Sequence, residues 1–102
     1  GCHNLLWIEC TTSMANTFTC YNALLIYDSF NLRIGDIVVY KLPEPWTTQN
    51  DNNEDVILTY LIHRVVAVNG TRFIVRGDLN DYNDEYQPTK EDVVGKVKGV
   101  VY

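Results

Sequence analysis

The 102-residue sequence has little of what a membrane span, a metal site or a nucleic-acid surface requires. None of its apolar runs approaches the roughly 18 residues of a spanning helix, and its first residues lack the charged-then-apolar layout of a signal peptide. Its three cysteines, Cys2, Cys10 and Cys20, form no CxxC pair, so neither a zinc site nor a closed disulfide framework is predicted. Only 8 basic residues oppose 13 acidic ones, giving a net charge of −5. Because phosphate backbones need a basic surface, we predict no nucleic-acid partner.

The sequence also lacks a sustained 3.6-residue apolar period with helix caps. Short runs rich in Val, Ile, Leu and Tyr alternate with Asn, Asp, Gly and Pro, a pattern typical of strands and turns. With 46% apolar residues, the chain is long enough for a single domain over residues 1–102. The predicted fold is all-β, an antiparallel β-barrel or sandwich. Its strands are expected over residues 5–9, 23–27, 37–40, 57–68, 72–76 and 93–101.

Three interruptions of these runs predict local structure. Residues 43–55 are polar and hold two prolines, which indicates a mobile surface loop. Gly95 and Gly99 lie within the last predicted strand, where glycines usually mark bulges or bends.

The Asn69-Gly70 pair is the strongest turn signal in the chain. It is expected to occupy the centre of a two-residue type I′ hairpin, because both positions of that turn take positive φ. If this register continues outward, His63 lies opposite Arg76 and Asp78 falls on the same face. The hairpin should therefore deliver the acidic loop after Gly77 to the histidine.

One serine, one mid-chain histidine and this acidic loop could together form a hydrolytic site. A serine hydroxyl is a poor nucleophile unless a base takes its proton and a third group orients that base. Ser13 could supply the nucleophile and His63, fifty residues later, the base. The residues alone leave the choice among Asp78, Asp81 and Asp84 open, and a solvated turn remains the alternative reading of the loop.

The same loop does not fit a helix-flanked calcium site. Such a site needs glycine at its sixth position and glutamate at its twelfth. Counted from Asp78, those positions are Asn83 and Thr89. We therefore predict no metal and no other cofactor.

Five blocks resemble the type I signal peptidases, in the archaeal and endoplasmic-reticulum branch that uses Ser and His. They occur in the family's order and at plausible spacing from about residue 5 to the C-terminus. The blocks are Ser13-Met14, IGDIVVY at residues 34–40, IHRVV at 62–66, GDLN at 77–80 with Asp84 behind it, and DVVGKV at 92–97. The base position holds His63 rather than lysine, which argues against the Ser-Lys branch.

The resemblance implies a serine endopeptidase that removes signal peptides from exported proteins after small residues. Ser13 is its nucleophile and His63 its general base. Of the two aspartates six positions apart, Asp84 is assigned as the orienting acid and Asp78 a supporting role, with their exchange as the runner-up. The backbone N–H of Ser13 and the hydroxyl of Thr11 are the implied oxyanion donors.

By the same resemblance, an N-terminal strand pairs with the extended substrate through β-augmentation. The residues concerned are Leu6, Trp7, Ile8, Glu9 and Cys10. The implied partners are the signal peptides of secretory preproteins, the membrane through an N-terminal helix that is missing from this chain, and partner subunits. The catalytic domain would then be membrane-anchored on the extracytoplasmic or ER lumenal face. Thr12 and Asn16 replace the family's usual Gly and Pro, so a weak or inactive barrel that binds peptides or serves in assembly is the alternative.

Overall fold

A computed structural model describes the backbone of residues 3–7, 23–27, 31–49 and 52–101, and the side chains of residues 31–49 and 52–98. Within these segments six strands form one antiparallel sheet, curled into a half-barrel and without helices. The all-β prediction is confirmed. None of the described segments is a helix long and apolar enough to cross a membrane. The strands are β1 (His3–Trp7), β2 (Ala23–Tyr27), β3 (Ile37–Gln49), β4 (Asp55–Asn69), β5 (Arg72–Arg76) and β6 (Val93–Val101), in the spatial order β1-β2-β6-β3-β4-β5.

The prediction of a loop over residues 43–55 is wrong for most of that range. β3 runs to Gln49 and β4 begins at Asp55, so the two strands form one long hairpin. The prolines misled the prediction, because Pro43 and Pro45 lie where the β3–β4 register shifts, between the Lys41 and Trp46 pairings. A residue without an N–H is tolerated at such an irregularity, since no ladder hydrogen bond is lost there.

The glycines of β6 mark irregularities, as predicted. The β3–β6 register shifts between the partners Gly95 and Val93, and the β2–β6 register shifts between Gly99 and Val97. In each case the extra residue precedes the glycine. Bulges increase local twist, which suits a sheet that curls.

The β4–β5 turn lies one residue further along than predicted. Asn69 pairs with Arg72, so Gly70 and Thr71 are the central residues. Only Gly70 of this pair has positive φ, at 61°. A glycine with positive φ at the first central position is typical of a type II′ turn rather than type I′.

The predicted hairpin register is also wrong. The β4–β5 register shifts between Val65 and Ala67. On the side of this shift that is farther from the turn, Arg64 and not His63 pairs with Arg76. Directly paired residues project from the same face of a sheet, and side chains alternate along a strand, so Arg76 shares its face with Arg64. His63 and Arg76 therefore lie on opposite faces.

The core lies on one face of β3, β4 and β5. Its buried members are Val38, Tyr40, Leu42, Val65, Phe73 and Val75. His63 projects onto this face and is the one buried polar or charged residue of the described part of the chain, at 6% exposure. Burying an imidazole among apolar side chains is costly unless it is hydrogen-bonded, so His63 requires a polar partner within the core.

Candidate active site

His63 lies in β4, where contacts with β3 and with the turn before it hold the backbone. It pairs with Val38 of β3. The next core residue of β4, Val65, accepts a hydrogen bond from Gly35 N and donates one to Asp36 O, each at 2.8 Å. Gly35 has φ +100°, a conformation that side-chain-bearing residues rarely adopt, and it makes this tight turn possible. The backbone around His63 is thereby fixed by strand pairing and by the turn before β3.

His63 contacts Asp84 through its Nδ1 atom and the carboxylate Oδ2. Both side chains are more than 90% buried, with exposures of 8% and 9%. A carboxylate only accepts hydrogen bonds, so Nδ1–H is the donor and the neutral imidazole carries its lone pair on Nε2. This is the arrangement in which an imidazole serves as a general base at Nε2 and is stabilised when it becomes positively charged.

Tyr40 provides a second donor to the same carboxylate oxygen. Its hydroxyl donates to Asp84 Oδ2 at 2.6 Å, and its side chain is fully buried. Burial, followed by the hydrogen bond to Asp84, raises the pKa of Tyr40 far above its ordinary value of 10. The hydroxyl therefore remains protonated throughout the neutral range and always acts as a donor to Asp84.

The segment that carries Asp84, residues 77–92, is fastened along β5. Asp84 N donates to Val75 O at 2.9 Å, and Phe73 N donates to Pro88 O at 2.8 Å. The Arg72 guanidinium adds a bond to Gln87 O at 2.7 Å. A long connection fixed at several points holds its side chains nearly as well as a strand does, which is what a catalytic carboxylate requires.

Asp78 occupies the opposite face and binds Arg64 instead of His63. Arg64 donates through Nε and Nη2 to the two oxygens of Asp78, each at 2.9 Å, and through Nη1 to Gly35 O at 2.8 Å. The hydrogen bond that Arg64 donates to Asp78 is the main cause that raises the pKa of Arg64. The expectation that Asp78 shares the face of His63 is therefore wrong, because the β4–β5 register differs by one residue from the predicted one. Asp78 instead ties the end of β5 to β4 and to the Gly35 turn.

Asp92 has a structural role at the start of β6. Its Oδ2 accepts hydrogen bonds from the Tyr86 hydroxyl at 2.5 Å, from Thr89 N at 2.9 Å and from Thr89 Oγ1 at 3.2 Å. Burial acts to raise the pKa of Asp92, but these hydrogen bonds and the charge of Arg72 together hold that pKa below its ordinary value of 3.8. The ionised form of Asp92 therefore stabilises the fold.

Asp92→Asn is expected to lower the free energy of unfolding by about 1 kcal/mol at pH 7, where the ionised side chain has all its hydrogen bonds. A lowered folded-state pKa gives a stabilisation that is complete above the unfolded-state value near 3.8 and is lost as the pH falls through the folded-state value. The difference between parent and variant should therefore shrink as the pH falls below that unfolded-state value. Urea unfolding at pH 7 and at pH 3 measures it, with exposed Glu91→Gln as the control; an equal difference at both pH values contradicts the prediction.

A cavity of about 390 Å³ adjoins Asp84. Its walls include Pro43, Pro45 and Trp46 of the β3 irregularity and the ring of Tyr86. The described residues that line it do not include His63. Among the described residues the cavity is thus lined by Asp84 but not by His63, and we assign it no part in the chemistry.

Several predicted site residues lie outside the described residues. These are Ser13 and Thr11, together with Ile8, Glu9 and Cys10 of the predicted substrate strand. Their roles remain predictions.

Leu6 and Trp7 lie in β1, at one edge of the sheet. They pair with Leu24 and Ala23 of β2, and no strand of the described segments pairs with the other side of β1. An edge of this kind can accept an added strand. In the sheet order, β2, β6 and β3 separate β1 from β4, so an extended peptide on β1 approaches His63 only across the curl of the half-barrel.

Tyr40 was missed by the reasoning from sequence. It lies in β3 two residues from Val38, the pairing partner of His63, and so projects from the same face within diagonal reach of the histidine. The signal was therefore present in the alternation of β3. That signal identifies Tyr40 only when the β3–β4 register is known. The register could not be predicted, because residues 43–55 were expected to form a loop.

The described residues hold no group of three or more His, Cys, Asp or Glu side chains placed to bind a metal ion. What they do bring together is a histidine, an aspartate and a tyrosine in a buried hydrogen-bonded chain. Asp78 stands apart from that chain, on the other face of the sheet. In comparisons with known proteins, no family model, no curated protein and no solved structure matches this chain.

Proposed function

We propose that the protein is the catalytic domain of a serine endopeptidase of the type I signal-peptidase kind, in the Ser-His branch. Its reaction is the removal of signal peptides from exported proteins after small residues. The observation that carries the proposal is the buried contact of His63 Nδ1 with Asp84. A carboxylate that holds an imidazole in one tautomer is an element of the triad by which serine hydrolases activate their nucleophile.

In the proposed reaction, the Ser13 hydroxyl attacks the scissile carbonyl while His63 Nε2 takes its proton. Asp84 stabilises the resulting imidazolium and keeps the ring in place. The oxyanion is bound by Ser13 N–H and the Thr11 hydroxyl. The imidazolium then protonates the departing amine. Water, deprotonated by the same ring, attacks the acyl carbonyl, and the ring returns that proton to the Ser13 oxygen as its bond to the acyl group breaks.

The second aspartate has a supporting role in this proposal. Asp78 binds Arg64, the residue that follows His63, and Arg64 also binds Gly35 O. These bonds hold β4 to the end of β5 and to the turn before β3. The backbone of His63 is kept in register on the face opposite to the chemistry.

Substrate binding is proposed along the edge strand, with Leu6, Trp7, Ile8, Glu9 and Cys10 pairing with an extended peptide. Backbone hydrogen bonds then supply affinity, and shallow pockets select small side chains at the cleavage point. The proposed setting is a membrane-anchored protein whose catalytic domain faces the extracytoplasmic or ER lumenal side. Signal peptides, anchored in the bilayer, would reach the site there.

The proposal is tested by incubating the protein in detergent or lipid with a synthetic signal-peptide substrate between pH 5 and pH 10. Mass spectrometry is expected to show a single cut after a small residue. The control is the same peptide with leucine in place of that residue, which should remain intact. The rate should no longer rise above about pH 9, where only an amine base would still be losing its proton.

Two results would contradict parts of the proposal. A rate that still rises steeply above about pH 9 indicates an amine base and excludes His63. No cleavage in either detergent or lipid favours the alternative, a non-catalytic barrel that binds peptides or serves in assembly.

A further inference from the structure

We propose that Tyr40 is a positioning residue that sets the direction and the strength of the Asp84–His63 pair. Its hydroxyl and His63 Nδ1 converge on one oxygen, Asp84 Oδ2. The expected effect of Tyr40 on the catalytic rate rests on the proposed function. The structural part of the inference concerns the histidine itself and holds whether or not the protein cleaves peptides.

The Tyr40 hydroxyl is held by its surroundings, so the position of Asp84 follows from it. The Tyr40 ring is fully buried in the core and stacks with the ring of Tyr86, at a centroid distance of 6.3 Å and an interplanar angle of 30°. The 2.6 Å bond from this fixed hydroxyl leaves the carboxylate little freedom to rotate about its side-chain bonds. Oδ2 is thereby presented to Nδ1 of the histidine.

The shared oxygen also moderates the attraction between the carboxylate and the ring. A carboxylate oxygen can accept two hydrogen bonds, and each donor then withdraws electron density from the same atom. Each bond is then weaker than it would be alone. Without the Tyr40 hydroxyl, Oδ2 would bind Nδ1–H more strongly but in a less fixed direction.

The chain offers a matched control in Tyr86. Its hydroxyl donates to Asp92 Oδ2 at 2.5 Å, so Tyr86 and Asp92 form a second tyrosine–aspartate pair that does not include the histidine. Tyr86→Phe removes a comparable hydrogen bond next to the same core. Any general loosening of the core by a lost tyrosine hydroxyl should therefore be seen in both variants.

The test measures the ring-nitrogen chemical shifts of His63 by long-range ¹H–¹⁵N correlation from its carbon-bound protons. The chain has two histidines, so a His3→Gln background leaves the signals of His63 alone. Tyr40→Phe is expected to move the Nδ1 resonance in the direction of a stronger hydrogen bond. Tyr86→Phe is expected to leave it in place.

A second substitution guards against a Tyr40→Phe variant that fails to fold. With 3-fluorotyrosine at position 40, the ring is retained and the hydroxyl becomes a stronger donor. The Nδ1 resonance should then move in the opposite direction. The inference is overturned if the Nδ1 resonance lies at the same position in all these proteins. It is also overturned if Tyr40→Phe and Tyr86→Phe displace the resonance equally.

Kinetics supply the part that depends on the proposed function. Tyr40→Phe should lower kcat by roughly 10- to 100-fold, the cost of misplacing a catalytic group, and leave KM unchanged because the Tyr40 side chain is fully buried. Tyr86→Phe should leave both constants near those of the parent. If the parent protein has no peptidase activity, the proposed function is wrong. The ring-nitrogen shifts still decide the role of Tyr40 in that case.

Discussion

His63→Ala is expected to lower kcat by about a million-fold, and Ser13→Ala by a similar factor. In the proposed mechanism neither residue can perform its step without the other, because the hydroxyl is unreactive until the imidazole takes its proton. The double variant should consequently be no slower than either single one. Single-turnover cleavage of the signal-peptide substrate measures all three rates.

The chain provides close controls for this experiment. Its second serine is Ser29 and its second histidine is His3. Ser29→Ala and His3→Ala should retain the rate of the parent. If Ser13→Ala and His63→Ala multiply their effects in the double variant, the two side chains act independently, and the proposed proton transfer between them is wrong.

Asp84→Asn is expected to reduce kcat by about 10⁴-fold with little change in KM. An asparagine side chain matches the shape of the aspartate but carries no charge to stabilise the imidazolium. If its amide NH₂ turns toward His63 Nδ1, it also selects the wrong tautomer, with the proton on Nε2. The effect should fall on the chemical step because, among the described residues, the hydrogen bonds of Asp84 go to His63, Tyr40 and Val75 O.

Asp78→Asn should behave differently, although Asp78 is six positions from Asp84 and of the same type. Its carboxylate binds Arg64 on the opposite face, so kcat should stay within about tenfold of the parent. The free energy of unfolding should fall by about 1 kcal/mol, since the Arg64 side chain is 35% exposed and water replaces part of the lost bond.

Comparison of these variants decides between the two aspartates. Asp81→Asn serves as a control from the same loop, because Asp81 is exposed. Steady-state kinetics and urea unfolding are measured on each protein. A kcat loss larger for Asp78→Asn than for Asp84→Asn would exchange their roles and contradict the assignment made from the geometry.

The pattern of the strands was accessible from the sequence because it depends on local properties. Three of the six strands, β2, β5 and β6, have the predicted bounds. Their β-branched runs end at residues that favour turns, and no distant contact is needed to recognise them. The extension of the β3–β4 hairpin was not predicted, for the opposite reason. A polar, proline-containing segment becomes a strand only when a partner strand lies beside it.

The proposed site likewise combines features that the sequence determines with features that only the tertiary structure decides. The residue types of the proposed site, a serine, a histidine and two aspartates in one order, are properties of the sequence by itself, as are the all-β character and the acidic charge. Which aspartate faces His63, and that Tyr40 shares its oxygen, was decided only by the tertiary structure. The physical reason is the period of two along a strand: a single bulge moves every later side chain to the other face, and no local pattern specifies where two distant strands come into register.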